Sequence, residues 1–348
     1  MLTFASDAHR QHHPRQPFHD QGRLIDPPEI PERAERIRAA ITDAGIGGIV
    51  SPDDNGLEPV RRVHTAAYVE FLEHAFERWR AATGASVDAE AVPYARPIRG
   101  QPPNGLHHPI EALGWFSHDN DAILAGTWGA ARGAVDVTLS AWRAVADGSA
   151  RSTYALARPP GHHAASDSYA GYCFLNNAAI AAAAWAARGA RVAILDVDYH
   201  HGNGTQQIFA ARGDVCFISL HADPAHEYPF FSGYADEQGV GAGEGCTHNF
   251  PLPLGTGWDA YAPALEAAAA VIRRFGPDGL VVSLGVDTAA EDYDTFQLVG
   301  ADFTRMGEGI GALGLPTVLV QEGGYDLGVI GRNVVAVLRG VEDAYGNS

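Results

Sequence analysis

Three segments of the chain place acids, imidazoles and glycines at spacings that suit metal-assisted hydrolysis. In ILDVDYHHGNG, Asp198 and His200 lie two residues apart at the end of an apolar run. Residues i and i+2 of an extended chain share a face, so both side chains can reach one ion. Asp287 follows the apolar stretch 280–284 and can complete the set. Two carboxylates and one imidazole leave room for water and a substrate carbonyl, the open arrangement of a catalytic zinc site rather than the closed one of a structural site. Zinc held there would lower the pKa of a water and polarise an amide carbonyl. So carboxylate-rich a set would also accept Fe2+ or Co2+. For an isolated D-x-H the plainer alternative, polar residues that merely end a strand, would carry more weight. The second imidazole and two glycines that follow in DVDYHHGNG reverse it.

A second segment, RPPGHH, gives adjacent His162 and His163 in a loop stiffened by Pro159 and Pro160, with Gly161 for a backbone geometry other residues resist. Two imidazoles beside a metal-activated water suit a general base and an electrostatic partner. Each needs an acceptor on its other ring nitrogen. Asp196 and Asn203 are available from the neighbouring strand and loop. In the third segment, QEGGYD, Gly323 and Gly324 let a loop approach the metal and carry Tyr325, whose phenol can donate to a carbonyl oxygen as it becomes an oxyanion. Taken alone, this last pattern also fits a turn tyrosine.

These residues need a scaffold that brings distant segments together. Apolar runs at 2–5, 152–157, 191–197, 215–220, 279–284 and 316–320 read as strands, most of them continuous enough for buried parallel strands. Helical stretches at 31–44, 66–80, 127–146, 176–188, 204–211, 258–275 and 303–313 alternate with them. That alternation implies βαβ units and a parallel sheet covered on both faces. RPPGHH, DVDYHHGNG, HADP, GVD and EGGY each follow an apolar run. In open parallel sheets ligands bind beyond the carboxyl ends of the strands, so these five loops are expected on one rim. Residues from about 83 to 109, rich in Pro, Gly and Arg, form a long excursion of the kind that is usually functional or interfacial. No linker divides the 348 residues, which read as a single domain, 1–348.

Composition narrows the partners. A formal net charge of −18 argues against nucleic acid, whose phosphates need basic patches, and mildly favours a cationic substrate. Cys173, Cys216 and Cys246 form no C-x-x-C pair, so any metal must rest on imidazoles and carboxylates. The opening segment lacks an apolar core of the signal-peptide kind, and the apolar stretch from Ala178 is too short to span a bilayer. A cytoplasmic protein with no membrane partner is expected.

The ordered segments RPPGHHA (158–164), GYCFLNNAAIA (171–181), ILDVDYHHGNGTQ (194–206), SLH (219–221), SLGVDT (283–288) and EGGYD (322–326) resemble the signature blocks of the histone deacetylase and acetylpolyamine amidohydrolase family. PERAERI (31–37) and VHTAAYVEFL (63–72) resemble its amino-terminal blocks, so the likeness runs over nearly the whole chain. HADPAHEYPFFSGYADEQG (221–239) and GTW (126–128) lean toward the bacterial acetylpolyamine enzymes.

The resemblance implies an arginase/deacetylase α/β fold, three-layer α/β/α with a parallel sheet of about eight strands. It implies one Zn2+ on Asp198, His200 and Asp287, His163 as general base and then acid, and His162 as its charged helper. Asp196 and Asn203 would orient the pair, and Tyr325 would polarise the acetyl carbonyl. It further implies a structural K+ or Na+ near Asp196, Asp198, His200, Ser219 and Leu220, and a narrow tunnel lined by Gly171, Tyr172 and Tyr228. An acidic gatekeeper would be Asp119 or Asp121, and the excursion at 83–109 would help form a homodimer. The implied substrate is a small acetylated cationic amine such as an acetylpolyamine, with an acetyl-lysine peptide as the alternative. A two-manganese ureohydrolase would need further Asp and His ligands that the sequence does not offer. A non-catalytic binder would be expected to have lost one of the residues named above.

Overall fold

Near-continuous β-branched and aliphatic runs build the centre of the structure, a computed structural model that describes residues 1–20, 22–98, 100 and 105–346. The strands are β1 (Leu2–Phe4), β2 (Phe18–Asp20), β3 (Arg23–Ile25), β4 (Ile49–Val50), β5 (Ser152–Ala155), β6 (Val192–Asp196), β7 (Val215–Ala222), β8 (Thr247–Leu252), β9 (Gly279–Leu284) and β10 (Thr317–Gln321). Eight of them form one sheet in the order β4-β1-β5-β10-β9-β6-β7-β8, and every pairing is parallel. The remaining two, β2 and β3, make a separate antiparallel hairpin. VAILD, GLVVSL and TVLVQ are buried at every position, as parallel strands covered on both faces must be.

Alternation along each strand sends neighbours to opposite cores. On β6, Val192 and Ile194 join one apolar cluster with the helices Ala66–Thr83, Thr127–Ala146 and Asn177–Ala186. Ala193 and Leu195 join the other, with Glu32–Ala44, Trp258–Phe275, Gly300–Gly311 and Ile330–Gly346. The result is the three-layer α/β/α architecture expected from the sequence.

Local chemistry sets the helix ends. Gly45 closes Glu32–Ala44 in the left-handed region, at φ 66°. Thr65 caps Ala66–Thr83 through its hydroxyl, and that helix runs a turn beyond the expected residue 80 before stopping at left-handed Gly84. The excursion after it has no regular strand or helix among its described residues up to Pro109–Trp115. It is nevertheless fastened: Glu90 accepts from the backbone N–H groups of Arg15 and Gln16, and Ala91 bridges Ile123. Arg99 and residues 101–104 of the expected 83–109 segment lie outside the described residues. Among the described residues, no helix is long and apolar enough to cross a membrane.

Candidate active site

Five neighbouring strands, β5, β10, β9, β6 and β7, end on one rim of the sheet. The residues that follow the first four bring His162 and His163, Tyr325, Asp287, and Asp198 and His200 to the same region, and β7 itself carries Ser219 level with Asp196. Asp198, His200 and Asp287 each offer a ligand atom, all within 4.8 Å of one another, and both acids are fully buried. Asp198 is pre-set by the backbone: Oδ2 accepts from Gly323 N–H (2.8 Å) and Oδ1 from His200 N–H (3.0 Å). Asp287 Oδ1 accepts from Tyr199 N–H (3.0 Å), while Oδ2 is buried with no hydrogen-bond partner.

An unpartnered buried carboxylate oxygen is costly. Burial and the charge of Asp198 push the Asp287 carboxyl well above its ordinary pKa. At Asp198, burial would raise the pKa, but His162 and His200 hold it below the usual value. His200 is itself lowered by burial, yet Asp294, Asp198 and Asp287 bring it up to about 9. The cluster attracts positive charge. Gly285 and Gly323 have no room for a side chain, because a Cβ on either would run into the carboxylates of Asp198 or Asp287. A divalent cation would supply the missing partner and offset the repulsion, so these residues fit one.

The adjacent imidazoles have different environments. His162 Nδ1 lies 3.1 Å from Asp196 Oδ2, and its Nε2 lies 3.6 Å from Asp198 Oδ1. Burial would lower the His162 pKa, but Asp198 and Asp196 overcome it and hold the ring up at about 10. His163 Nδ1 donates to Asn203 Oδ1 at 2.7 Å, which leaves Nε2 as the basic nitrogen. Burial, then the charges of His162 and His200, push His163 well below its ordinary pKa. The ring centroids are only 4.0 Å apart. The surroundings thus favour the charged form of one imidazole and the neutral form of the other, the separation of roles that acid–base catalysis needs.

Aromatic walls surround this pair. Tyr228 stands edge-on to His163 (centroids 5.0 Å) and His200 (5.8 Å), and Tyr172 stands edge-on to Tyr325 (5.8 Å). Gly171 and Tyr172 both have positive φ, 54° and 66°. At Gly171 a Cβ would collide with the His163 ring, so only glycine lets that wall close on the imidazole. Phe231, by contrast, is 86% exposed.

The two gatekeeper candidates differ. Asp121 is buried, accepts from Tyr172 N–H at 2.9 Å and leaves Oδ2 unpartnered. Burial and the charge of Asp119 raise its pKa well above the usual. Asp119 is half-buried; its carboxylate caps Asn120 N–H (2.7 Å) and its carbonyl meets Ser117 and Arg96. For the monovalent cation, Ser219 faces Asp196 in the strand register and Leu220 follows it on β7. Ser219 Oγ lies 2.7 Å from His221 Nδ1.

Several residues around the site had no role in the sequence reading. Glu322 Oε2 accepts from the N–H groups of Gly161 (2.6 Å) and His162 (3.1 Å) and so holds the imidazole loop. Buried Arg33 donates to the carbonyls of Gly324 (2.5 Å) and Glu322 (2.7 Å) and lies 4.6 Å over the Tyr325 ring. Glu29 pairs with both Arg33 (2.8 Å) and Arg158 (2.7 Å), tying the PERAERI helix to RPPGHH. Asp292 accepts from Tyr325 N–H at 2.7 Å. PERAERI and RPPGHH were visible as motifs, but nothing in their spacing shows that their charges meet.

Comparison with known proteins agrees with this geometry. The histone deacetylase domain family matches residues 27–341. The chain is 50% identical to acetylpolyamine amidohydrolase 1 of Pseudomonas aeruginosa over 350 residues, 99% of each chain. It is 45% identical to the acetylpolyamine amidohydrolase of Mycoplana ramosa over 324 residues, 92% of this chain and 94% of the other. A crystal structure of an acetylpolyamine aminohydrolase from Burkholderia pseudomallei superposes with a TM-score of 0.92 at 41% identity, covering 99% of both chains.

Proposed function

Because this chain belongs to the histone deacetylase family, we infer that it removes acetyl groups from acetylated polyamines or similar small cationic amines. The observation that carries this reading is the adjacent pair His162 and His163, held by Asp196 and Asn203 beside a buried carboxylate cluster. The names of the relatives that match nearly end to end support the polyamine substrate. An acetyl-lysine peptide deacetylase would use the same residues and is the second reading.

Asp198, His200 and Asp287 would hold the divalent cation, zinc or in its place Fe2+ or Co2+. When bound, it would supply Lewis acidity that activates water and polarises the acetamide carbonyl. His163 Nε2 takes the proton as the water attacks, because Nδ1 is committed to Asn203. His162 stays protonated between Asp196 and Asp198 and stabilises the developing negative charge. The Tyr325 hydroxyl, kept protonated because burial raises its pKa, donates to the carbonyl oxygen as it becomes an oxyanion. His163 then returns its proton to the departing amine, leaving acetate. Gly171, Tyr172 and Tyr228 present flat walls that admit a slim aliphatic chain. Asp119 or Asp121 would receive its distal positive charge, and both raise the pKa of the Tyr228 wall after burial.

A K+ or Na+ ion near Asp196, Asp198, His200, Ser219 and Leu220, a single domain, a homodimer and a cytoplasmic location complete the reading. Metal analysis and sedimentation of the purified protein test the ion and the dimer. The substrate is tested by incubating the zinc-loaded enzyme with acetylputrescine, acetylspermidine and an acetyl-lysine peptide while measuring acetate. Faster release from the polyamines is expected. Cleavage of the peptide alone would overturn the substrate reading, and release of no acetate from any of them would overturn the activity.

A further inference from the structure

The ring of His200 has two nitrogens with different neighbours. Nδ1 lies 3.7 Å from Asp198 Oδ1, on the side of the ligand cluster. Nε2 lies 3.8 Å from Asp294 Oδ1. Asp294 belongs to the segment after β9, seven residues beyond Asp287, and the mechanism above gives it no part.

That segment is aligned against the residues that follow β6 by two contacts of Tyr199. The Tyr199 hydroxyl and Thr295 Oγ1 share a hydrogen bond of 2.9 Å. The Tyr199 ring meets the Phe296 ring edge-on, with centroids 4.8 Å apart. Asp294, next to Thr295, is thereby set opposite His200, next to Tyr199. Its side chain is 16% exposed and that of His200 18%, so packing fixes both more than solvent frees them. A carboxylate with so little exposure is unfavourable unless a donor or a cation offsets it. His200 Nε2 faces it across the 3.8 Å gap.

We propose that Asp294 is a positioning residue for the metal-binding imidazole, accepting the Nε2 proton of His200 and so leaving the Nδ1 lone pair for the cation. Neutral imidazole carries one N–H, and the group beside one nitrogen decides which nitrogen is left to bind a metal. A carboxylate partner also makes the ring a stronger donor. The 3.8 Å separation is longer than the ~2.9 Å of a closed N–H···O bond, so closing the contact takes a small ring rotation or a bridging water. The inference rests on the reading of Asp198, His200 and Asp287 as ligands.

The test compares zinc dissociation constants of the wild-type and Asp294→Asn chains, by competition with a chromophoric chelator, and the melting of both metal-free proteins. The asparagine variant should bind zinc about 10–100-fold more weakly. Its metal-free melting should be unchanged, and Asp294→Glu should recover part of the affinity. Equal zinc affinity in wild type and Asp294→Asn overturns the assignment. So does a metal-free Asp294→Asn protein that fails to fold or melts far below wild type, because the residue would then serve only the loop. A wild-type protein that binds no zinc overturns the ligand reading itself, and this inference with it.

Discussion

The two buried acids of the cluster make opposite demands on stability and on metal binding, and Asp287→Asn separates them. Asp198 and Asp287 offer oxygens within 4.8 Å of each other. Two unit charges at that distance repel by roughly 3 kcal/mol at an effective dielectric of about 20. Asparagine removes one charge at nearly constant shape. It also gives the unpartnered position at Oδ2 an N–H able to donate to Asp198. The metal-free variant should therefore be more stable than the metal-free wild type by up to about 3 kcal/mol. Spread over the unfolding entropy of 348 residues, that corresponds to a melting temperature higher by about 4 °C. The sign of the pH dependence follows from the raised pKa of Asp287. A carboxyl raised in the folded state favours folding while protonated, and that contribution is lost as pH rises through the folded value. The advantage of the variant should grow toward alkaline pH. Zinc at about 1,000 times the wild-type Kd should reverse the order, because it stabilises the wild type by about 4.1 kcal/mol and the crippled site by far less. Calorimetry in chelator and then in zinc reads both effects. A metal-free variant that melts at or below wild type, or equal gains from zinc in the two proteins, would refute the account of the cluster.

Three further outcomes are expected. Tyr325→Phe keeps the ring under Arg33 but removes the donor, so kcat should fall by about 100–1,000-fold with melting unchanged, and retention of full activity would remove the phenol from the mechanism. The acid limb of kcat/KM should lie below pH 6.5, the ordinary imidazole value, because His163 is depressed and stays deprotonated until that lower pH is reached; a bound cation shifts it the same way, and a limb above 7 would contradict His163 as the base. Arg33→Ala strands Glu29 beside Arg158 alone, takes the donor from the buried Gly324 carbonyl and leaves the Glu322 carbonyl to Gln321 Nε2. It should cost about 3–5 kcal/mol in urea denaturation, and a loss within error of zero would show that the Tyr325 loop holds itself.

Much of the fold was legible because its elements carry local punctuation. Trp258–Phe275 lies between Gly257 and left-handed Gly276, and Gly279–Leu284 is an unbroken apolar run, so both were read at their observed bounds. β8 escaped notice because THNFPL alternates and holds Pro251, a pattern tolerated on a sheet edge, where β8 lies. The helix Ile330–Gly346 was missed for a related reason. Gly331 and Gly340 lower its helical signal, yet the packing requires small residues. A Cβ on Gly340 would strike the Thr304 carbonyl, and one on Gly307 the Val337 carbonyl. The close approach of these two helices is what removes the side chains that would have announced the second.

At the site, legibility follows sequence distance. Asp198 and His200 share a strand end, and His162 and His163 share a loop, so their joint chemistry can be read from spacing. The residues that hold them in place come from far away. Glu29 and Arg158 are 129 positions apart, Arg33 and Gly324 are 291, and no periodicity connects them. Parallel pairing creates such meetings: Asp196 stands level with Ser219 on one side and Ser283 on the other, so each strand end inherits neighbours from chain segments that share no local pattern. Asp294 is the sharpest instance. From sequence it is one acid among Glu291, Asp292 and Asp294, a run that reads as a solvated loop. Only the bond of Thr295 to Tyr199 sets that carboxylate opposite the imidazole of His200. The residues that contact an ion are constrained by its chemistry and recur in compact motifs, whereas those that hold them are constrained only by the fold. Reading the second kind therefore requires the strand order, which the motifs alone do not carry.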